Sequence, residues 1–300
     1  MNSRFVPDAD ATALPAKGKS AATAAIVTPS YAGDFERCRL LCETMDRLVT
    51  GASHHYLLVA PHDLSRFRQL ENARRTVVDE RDLLPPWLHS FRDPTSFFRR
   101  HVWLSTRTLP LRGWHVQQLR RIAIARHAGE DTLIYCDSDV VFLKAFDCGR
   151  MWRDGLLRLY RQENASRHRA WSTNAGNVLG LPAGPSPHDY ITTLIGWRRE
   201  TVTAMIGHIE ARTGRNWVEA VASSRNFSEC LLYGRFVDEV LGTEGHFHDG
   251  RQLCRVYWIG PKLSEDGIRR FIDEMEPHQV AIGMQSFIGM DVDRLRRLVG

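Results

Sequence analysis

The chain has 300 residues, of which 43% are apolar and 25% charged, and its formal net charge is +5. That is the composition of a globular protein with room for one large α/β core or two small ones. No apolar run is long enough to span a bilayer, and no basic block is interleaved with exposed aromatics as nucleic-acid binding would require. Six cysteines (38, 42, 136, 148, 230 and 254) show neither a Cys-x-x-Cys pair nor zinc spacing. Reduced thiols in the cytoplasm are the expectation. The N-terminus lacks the uninterrupted apolar core of a signal peptide.

Residues 1–22, rich in Ala, Asp, Lys, Ser and Pro, read as a disordered tail. Ala24–Thr28 is a short apolar strand running into Pro29-Ser30-Tyr31-Ala32-Gly33-Asp34. A helix over 35–49 follows, with Leu40, Leu41, Met45 and Leu48 at helical spacing. Strands at 55–60 and 76–78 come next. This alternation predicts a mainly parallel sheet with right-handed crossovers, flanked by helices. Residues 84–112, with Pro85, Pro86, Pro94 and Pro110, read as a long loop or broken helices that serve as a lid or binding segment. A helix over 114–127 opens at Gly113. Residues 170–181 read as polar and then strand-like. Helices at 199–212 and 216–222 lead to a helix start with Ser228 as cap and Glu229 in the first turn. A helix at 263–275, a strand at 279–285 and a helix at 291–298 close the chain.

The most informative stretch is Leu133-Ile134-Tyr135-Cys136-Asp137-Ser138-Asp139. A buried parallel strand ends there in two carboxylates one residue apart, at the rim where open α/β sheets bind ligands. Alternate residues of an extended segment point the same way, so both acids can reach one point. Carboxylates that close repel unless a cation or proton lies between them, and hard oxygen ligands suit Mn²⁺ or Mg²⁺. A turn with two solvated acids is the alternative. The arginine pairs Arg99-Arg100, Arg120-Arg121, Arg198-Arg199, Arg269-Arg270 and Arg296-Arg297 are dispersed and read as solvated helix faces. Such a surface also suits phosphorylated donors or the anionic inner face of a membrane.

Four motifs stand in order: Thr28-Pro29-Ser30-Tyr31 with Asp34, Gly113-Trp114 with Gln117-Gln118, Asp137-Ser138-Asp139, and Ser228-Glu229 with Tyr233-Gly234. On these the chain, over about residues 24–290, resembles the GT-A class of nucleotide-sugar glycosyltransferases, nearest to poorly characterised bacterial members. The resemblance implies a single large GT-A-like (Rossmann-like) domain over 23–300, with a nucleotide-binding half to about 145 and an acceptor half beyond. It implies transfer of a sugar from a nucleotide-diphosphate sugar to the hydroxyl of a glycan or other acceptor, as in surface glycan synthesis. Thr28, Pro29, Ser30, Tyr31, Asp34, Gln118 and Ser138 would contact the nucleotide. Arg121 stands where such proteins often carry Lys and would hold phosphate or an acid. Asp137 and Asp139 would bind the cation, with His248 as third ligand out of His246, His248 and His278. Trp171 and Asn174 would face the sugar or acceptor, and Glu229 would be the general base of an inverting transfer.

Two rivals use the same residues. A haloacid-dehalogenase-like phosphatase would attack phosphate with Asp137, but needs a later lysine and acidic pair. Only Lys144 and Lys262 follow Asp139, and three strands precede the motif. A non-catalytic nucleotide-sugar-binding protein would keep the fold without needing Glu229.

Overall fold

The computed structural model describes residues 22–163 and 168–299. The expected tail, residue 22 aside, lies outside the described residues. Ala24–Pro29 (β1) is buried along its whole length, as a strand covered on both faces must be. Phe35–Leu48 (α1) leads to His54–Val59 (β2), and Arg75–Asp79 (β3) follows. Gly113–Ala123 (α2) feeds Thr132–Tyr135 (β4), which stops at the acidic motif, and Val140–Phe142 (β5) resumes beyond it. Arg169–Leu179 (α3), Ile195–Arg198 (β6), Arg199–Thr213 (α4) and Glu229–Arg235 (α5) complete the elements around the site.

The central sheet has the order β6-β4-β1-β2-β3. β4, β1, β2 and β3 are parallel, and β6 pairs antiparallel with β4, placing Ile195 beside Tyr135. The fold is thus mixed α/β, with a mainly parallel sheet flanked by helices in one domain. Alternation along β1 divides the core. Ala25 and Val27 join Leu133 and Tyr135 in packing against Val116, Leu119 and Ile122 of α2 and Met205 and Ile206 of α4. Ile26 and Ile134 face Leu41 and Met45 of α1 on the other side. Because β2 lies on one side of β1 and β4 on the other, the chain reverses direction across the sheet between β1 and β4. The carboxyl rim at this point is where open α/β sheets form their ligand crevice.

Three expectations are corrected. Residues 89–92, 101–104 and 111–112 form a small antiparallel sheet, not a loop or broken helices. Its inward side chains, Trp103 and Leu111, are buried, and the Trp103 indole donates to Glu80 Oε1 (3.0 Å). Residues 169–179 are a helix, not a strand. Ser172, Ala175, Val178 and Leu179 are buried at helical spacing, and Gly180 ends the helix in the left-handed conformation (φ 76°) that a C-terminal cap uses. The closing strand is shorter than expected, Ala281–Met284, and runs antiparallel to β5. Among the described residues no helix is long and apolar enough to cross a membrane, and the six cysteines are buried and free.

Candidate functional site

The loop after β1 and the turn after β4 bring their acids together at the crevice. Ser138 Oγ donates to Asp34 Oδ2 (3.4 Å), while Asp34 Oδ1 is buried and accepts no hydrogen bond. Arg37 Nη1 stands 3.7 Å from that oxygen. Asp139 Oδ2 accepts the Ser286 backbone N–H (3.2 Å), and the Asp137 backbone N–H donates to Thr193 Oγ1 (3.1 Å). The electrostatics are those of negative charges short of partners. Burial pushes the Asp139 carboxyl up to about 8, with repulsion from Asp137 and Asp34 adding to it. Asp34 is raised as well, chiefly by burial and despite Arg37.

Arg121 ties this group to the far half of the chain. Its Nη1 donates to Glu229 Oε1 (2.8 Å) and its Nη2 pairs with Asp137. Its Nε is buried without a partner. The expectation of solvated arginine pairs fails at Arg120-Arg121: both are buried, and Arg120 pairs with buried Glu80. The Arg121 guanidinium lies between two carboxylates, which offset its desolvation, and Arg120 lies over the Trp103 ring (5.9 Å). The Arg121 pKa is accordingly raised: burial opposes the charge, and Asp137 and Glu229 more than compensate.

Glu229 sits at the first position of α5, after Ser228, whose Oγ accepts the Leu231 N–H (3.5 Å). Its own N–H donates to Gln118 Oε1 (3.1 Å). Among the described residues no hydrogen bond reaches Glu229 Oε2. One oxygen is therefore pinned and the other left without a protein donor. Gly234, one turn on, lets the helix pass beneath Tyr190, whose ring a Cβ there would overlap.

The other expected residues separate. Tyr31 is exposed (53%), folds its ring over Gly33, and has a raised pKa, from burial first and then Asp34. Thr28 is fully buried, its hydroxyl 3.0 Å from His55 Nε2. Pro29 and Ser30 are buried, and the Ser30 hydroxyl has no partner. Gln118 serves Glu229. Trp171 is half-buried, stacked on His168 (4.8 Å) and close to Trp114 (5.2 Å). Asn174 lines a hollow of about 430 Å³ between α3, the end of α4 and residues 217–223, with its Nδ2 unpartnered. His248 belongs to a second cluster. Its Nε2 lies 2.8 Å from Asp238 Oδ1, and Asp238 also receives Tyr190 (2.7 Å), Arg161 (3.2 Å) and Thr243 (3.3 Å). Sequence reasoning did not single out Arg37, three residues after Asp34 in α1, nor Thr193, Ser286 and Asp63, which shape the crevice from segments distant in the chain. Only their proximity in the fold reveals them.

Among the described residues no three His, Cys, Asp or Glu side chains form a ready-made metal cage. The donor set nevertheless fits Mn²⁺ or Mg²⁺. Asp137 and Asp139 are hard oxygen ligands beside a third carboxylate with an orphaned oxygen, and such cations take their remaining ligands from water and phosphate.

The chain belongs to a family of unknown function, DUF6492, whose model matches residues 19–279. A comparison with curated proteins finds no match.

Proposed function

We infer that this chain is a GT-A-type glycosyltransferase that moves a sugar from a nucleotide-diphosphate sugar to an acceptor hydroxyl. One observation carries the reading: Asp34, Ser138, Asp139, Asp137, Arg121 and Glu229, from four separate segments, meet at the crevice where the sheet order reverses. Tyr31 and Asp34 bind the base and ribose. Asp137 and Asp139 hold the divalent cation, which neutralises the diphosphate leaving group when bound. Arg121 fixes Asp137 and Glu229 at a set separation. Glu229 Oε2, the oxygen free of protein donors, accepts the proton of the acceptor hydroxyl, and Trp114 and Trp171 offer the sugar an aromatic wall. The phosphatase is disfavoured because only Lys144 and Lys262 follow the acidic motif and three strands precede it.

The Arg121 pair also favours a second reading. Glu229 commits Oε1 to a buried ion pair with Arg121, as a purely structural carboxylate would, which suits a protein that binds nucleotide sugars without turning them over. One experiment separates the two. Nucleoside diphosphates and nucleotide sugars are screened by thermal shift with and without Mn²⁺, and the best donor is then followed by single-turnover assay in wild type and Glu229→Gln. Loss of a general base lowers the rate about 10²–10⁴-fold with donor affinity kept, since glutamine still accepts from Arg121. Wild-type turnover in that variant would remove Glu229 from the chemistry. Tight donor binding with no turnover in the wild type would establish the binder.

A further inference from the structure

The antiparallel sheet of residues 89–112 buries one face and leaves the other without cover. Pairing places Phe91 opposite Val102, Val102 opposite Arg112, and His89 opposite Leu104. Phe91 is 51% exposed and Leu104 39%. The turn joining the first two strands ends in Phe97-Phe98-Arg99-Arg100, with Phe97 84% and Phe98 57% exposed. Both phenylalanines adopt the left-handed conformation (φ 52° and 60°), which bulky side chains avoid. Backbone bonds from Phe97 N to Pro94 O (3.1 Å), Phe98 N to Asp93 O (3.0 Å) and Asp93 N to Arg100 O (2.8 Å) hold them there. The rings project outward and do not fold back onto the sheet.

The charge around them is one-sided. Residues 84–112 contain five arginines (92, 99, 100, 107 and 112) against one acid, Asp93. Among the described residues none of the five arginines is in an ion pair. A second copy of the chain would bring like charge to like charge. A single-stranded nucleic acid would accept the rings and arginines but gain nothing from Val102 and Leu104. A bilayer with anionic headgroups accepts both, because aromatic and aliphatic side chains enter the acyl boundary while arginines meet phosphate. We propose that this face docks the protein on an anionic lipid membrane, with Phe97 and Phe98 as the inserted tip. The opposite, packed face of this sheet adjoins the crevice: His101 stacks on His62 (3.8 Å), and the neighbouring Asp63 accepts the Ala32 N–H (2.9 Å) in the loop that carries Asp34. Docking therefore holds the sheet that packs beside the carboxylate rim at the membrane, whether or not that rim transfers a sugar.

The test is flotation of the full chain with phosphatidylcholine vesicles, with and without phosphatidylglycerol. Wild type should float only with the anionic lipid, and added salt should release it. Phe97→Asn with Phe98→Asn keeps residues that tolerate the left-handed turn, so the melting temperature should hold while partitioning falls about tenfold or more. Arg99→Gln with Arg100→Gln, both on the surface, should also weaken it about tenfold. Wild type that stays in solution with anionic vesicles overturns the proposal. So does equal partitioning of the Phe variant, or a Phe-dependent affinity for single-stranded RNA without vesicle binding.

Discussion

Asp139 and Asp238 are both withdrawn aspartates, and they titrate in opposite directions. Burial acts to raise each of them. At Asp139 repulsion from Asp137 and Asp34 adds to it, and the carboxyl is pushed up to about 8. At Asp238 bonds from His248, Tyr190 and Arg161 outweigh burial, and the pKa is lowered. The difference lies in the supply of donors. Asp238 has a partner for each lone pair and serves as scaffold, whereas the acids of the crevice share Arg121, Arg37 and a few N–H groups among three carboxylates. A shortage of donors at the rim is the setting in which the proposed cation would find its ligands.

The largest expected effect tests the rim. Asp139→Asn should weaken Mn²⁺-dependent binding of a nucleoside diphosphate by more than the about 10–100-fold typical of losing an outer-shell partner. With chelator present the same change removes a buried carboxyl that must take up a proton near neutral pH, and should stabilise the fold by on the order of 1 kcal/mol. Titration calorimetry and chelated melting curves check the two halves; unchanged affinity together with a lower melting temperature would erase the contrast.

Asp238→Asn should do the reverse. It removes the charge and one of the two acceptor oxygens that Arg161, Tyr190 and His248 share, and should cost about 1–3 kcal/mol in urea unfolding, with donor affinity untouched. A loss of donor binding here would move His248 and its partner back into the site.

The smallest effect concerns the strand that carries His248. Burial drives His246 down to about 4 from an ordinary value of 6.5, and its Nε2 lies 2.8 Å from the Tyr233 hydroxyl. The unfolded chain binds the proton more readily, so this contribution is complete above pH 6.5 and shrinks as the pH falls toward 4. Stability should drop by about 1 kcal/mol between pH 6.5 and 5.5, and His246→Gln should flatten that slope in chemical denaturation. An identical slope in the variant would assign the titration elsewhere.

Much of the site is legible in the sequence because its pieces are local signals. An apolar strand halting at Asp137-Ser138-Asp139, a Pro-Ser turn after β1, and a Ser cap before Glu229 each announce themselves within a few residues. Arg121 was legible as a position, but its burial was not. A helix with two adjacent arginines looks solvated until Glu80, Asp137 and Glu229 are seen facing them across the fold. The sheet at 89–112 was hidden for a related reason. Four prolines break the alternation that marks strands, and pairing between 89–92 and 101–104 rests on a turn whose left-handed phenylalanines no propensity predicts. The helix at 169–179 was missed because Asn174, Gly176 and Asn177 dilute its apolar stripe. His248 was drawn to the metal by the resemblance alone, and Asp238, ten residues earlier, claims its ring nitrogen.

One architectural detail bears on how the chain can be divided. β4 receives an antiparallel neighbour from residues 195–198, β5 is paired with 281–284, and Arg121 finds one of its two counter-charges 108 residues away at Glu229. A cut near residue 145 would therefore expose a raw sheet edge, strip β5 of its partner, and leave a buried guanidinium half neutralised. The part before residue 145 is not a transplantable module. Its edge, its charge balance and Glu229 are delivered by the later sequence, so under the proposed function donor binding and acceptor chemistry would be inherited, exchanged or lost together.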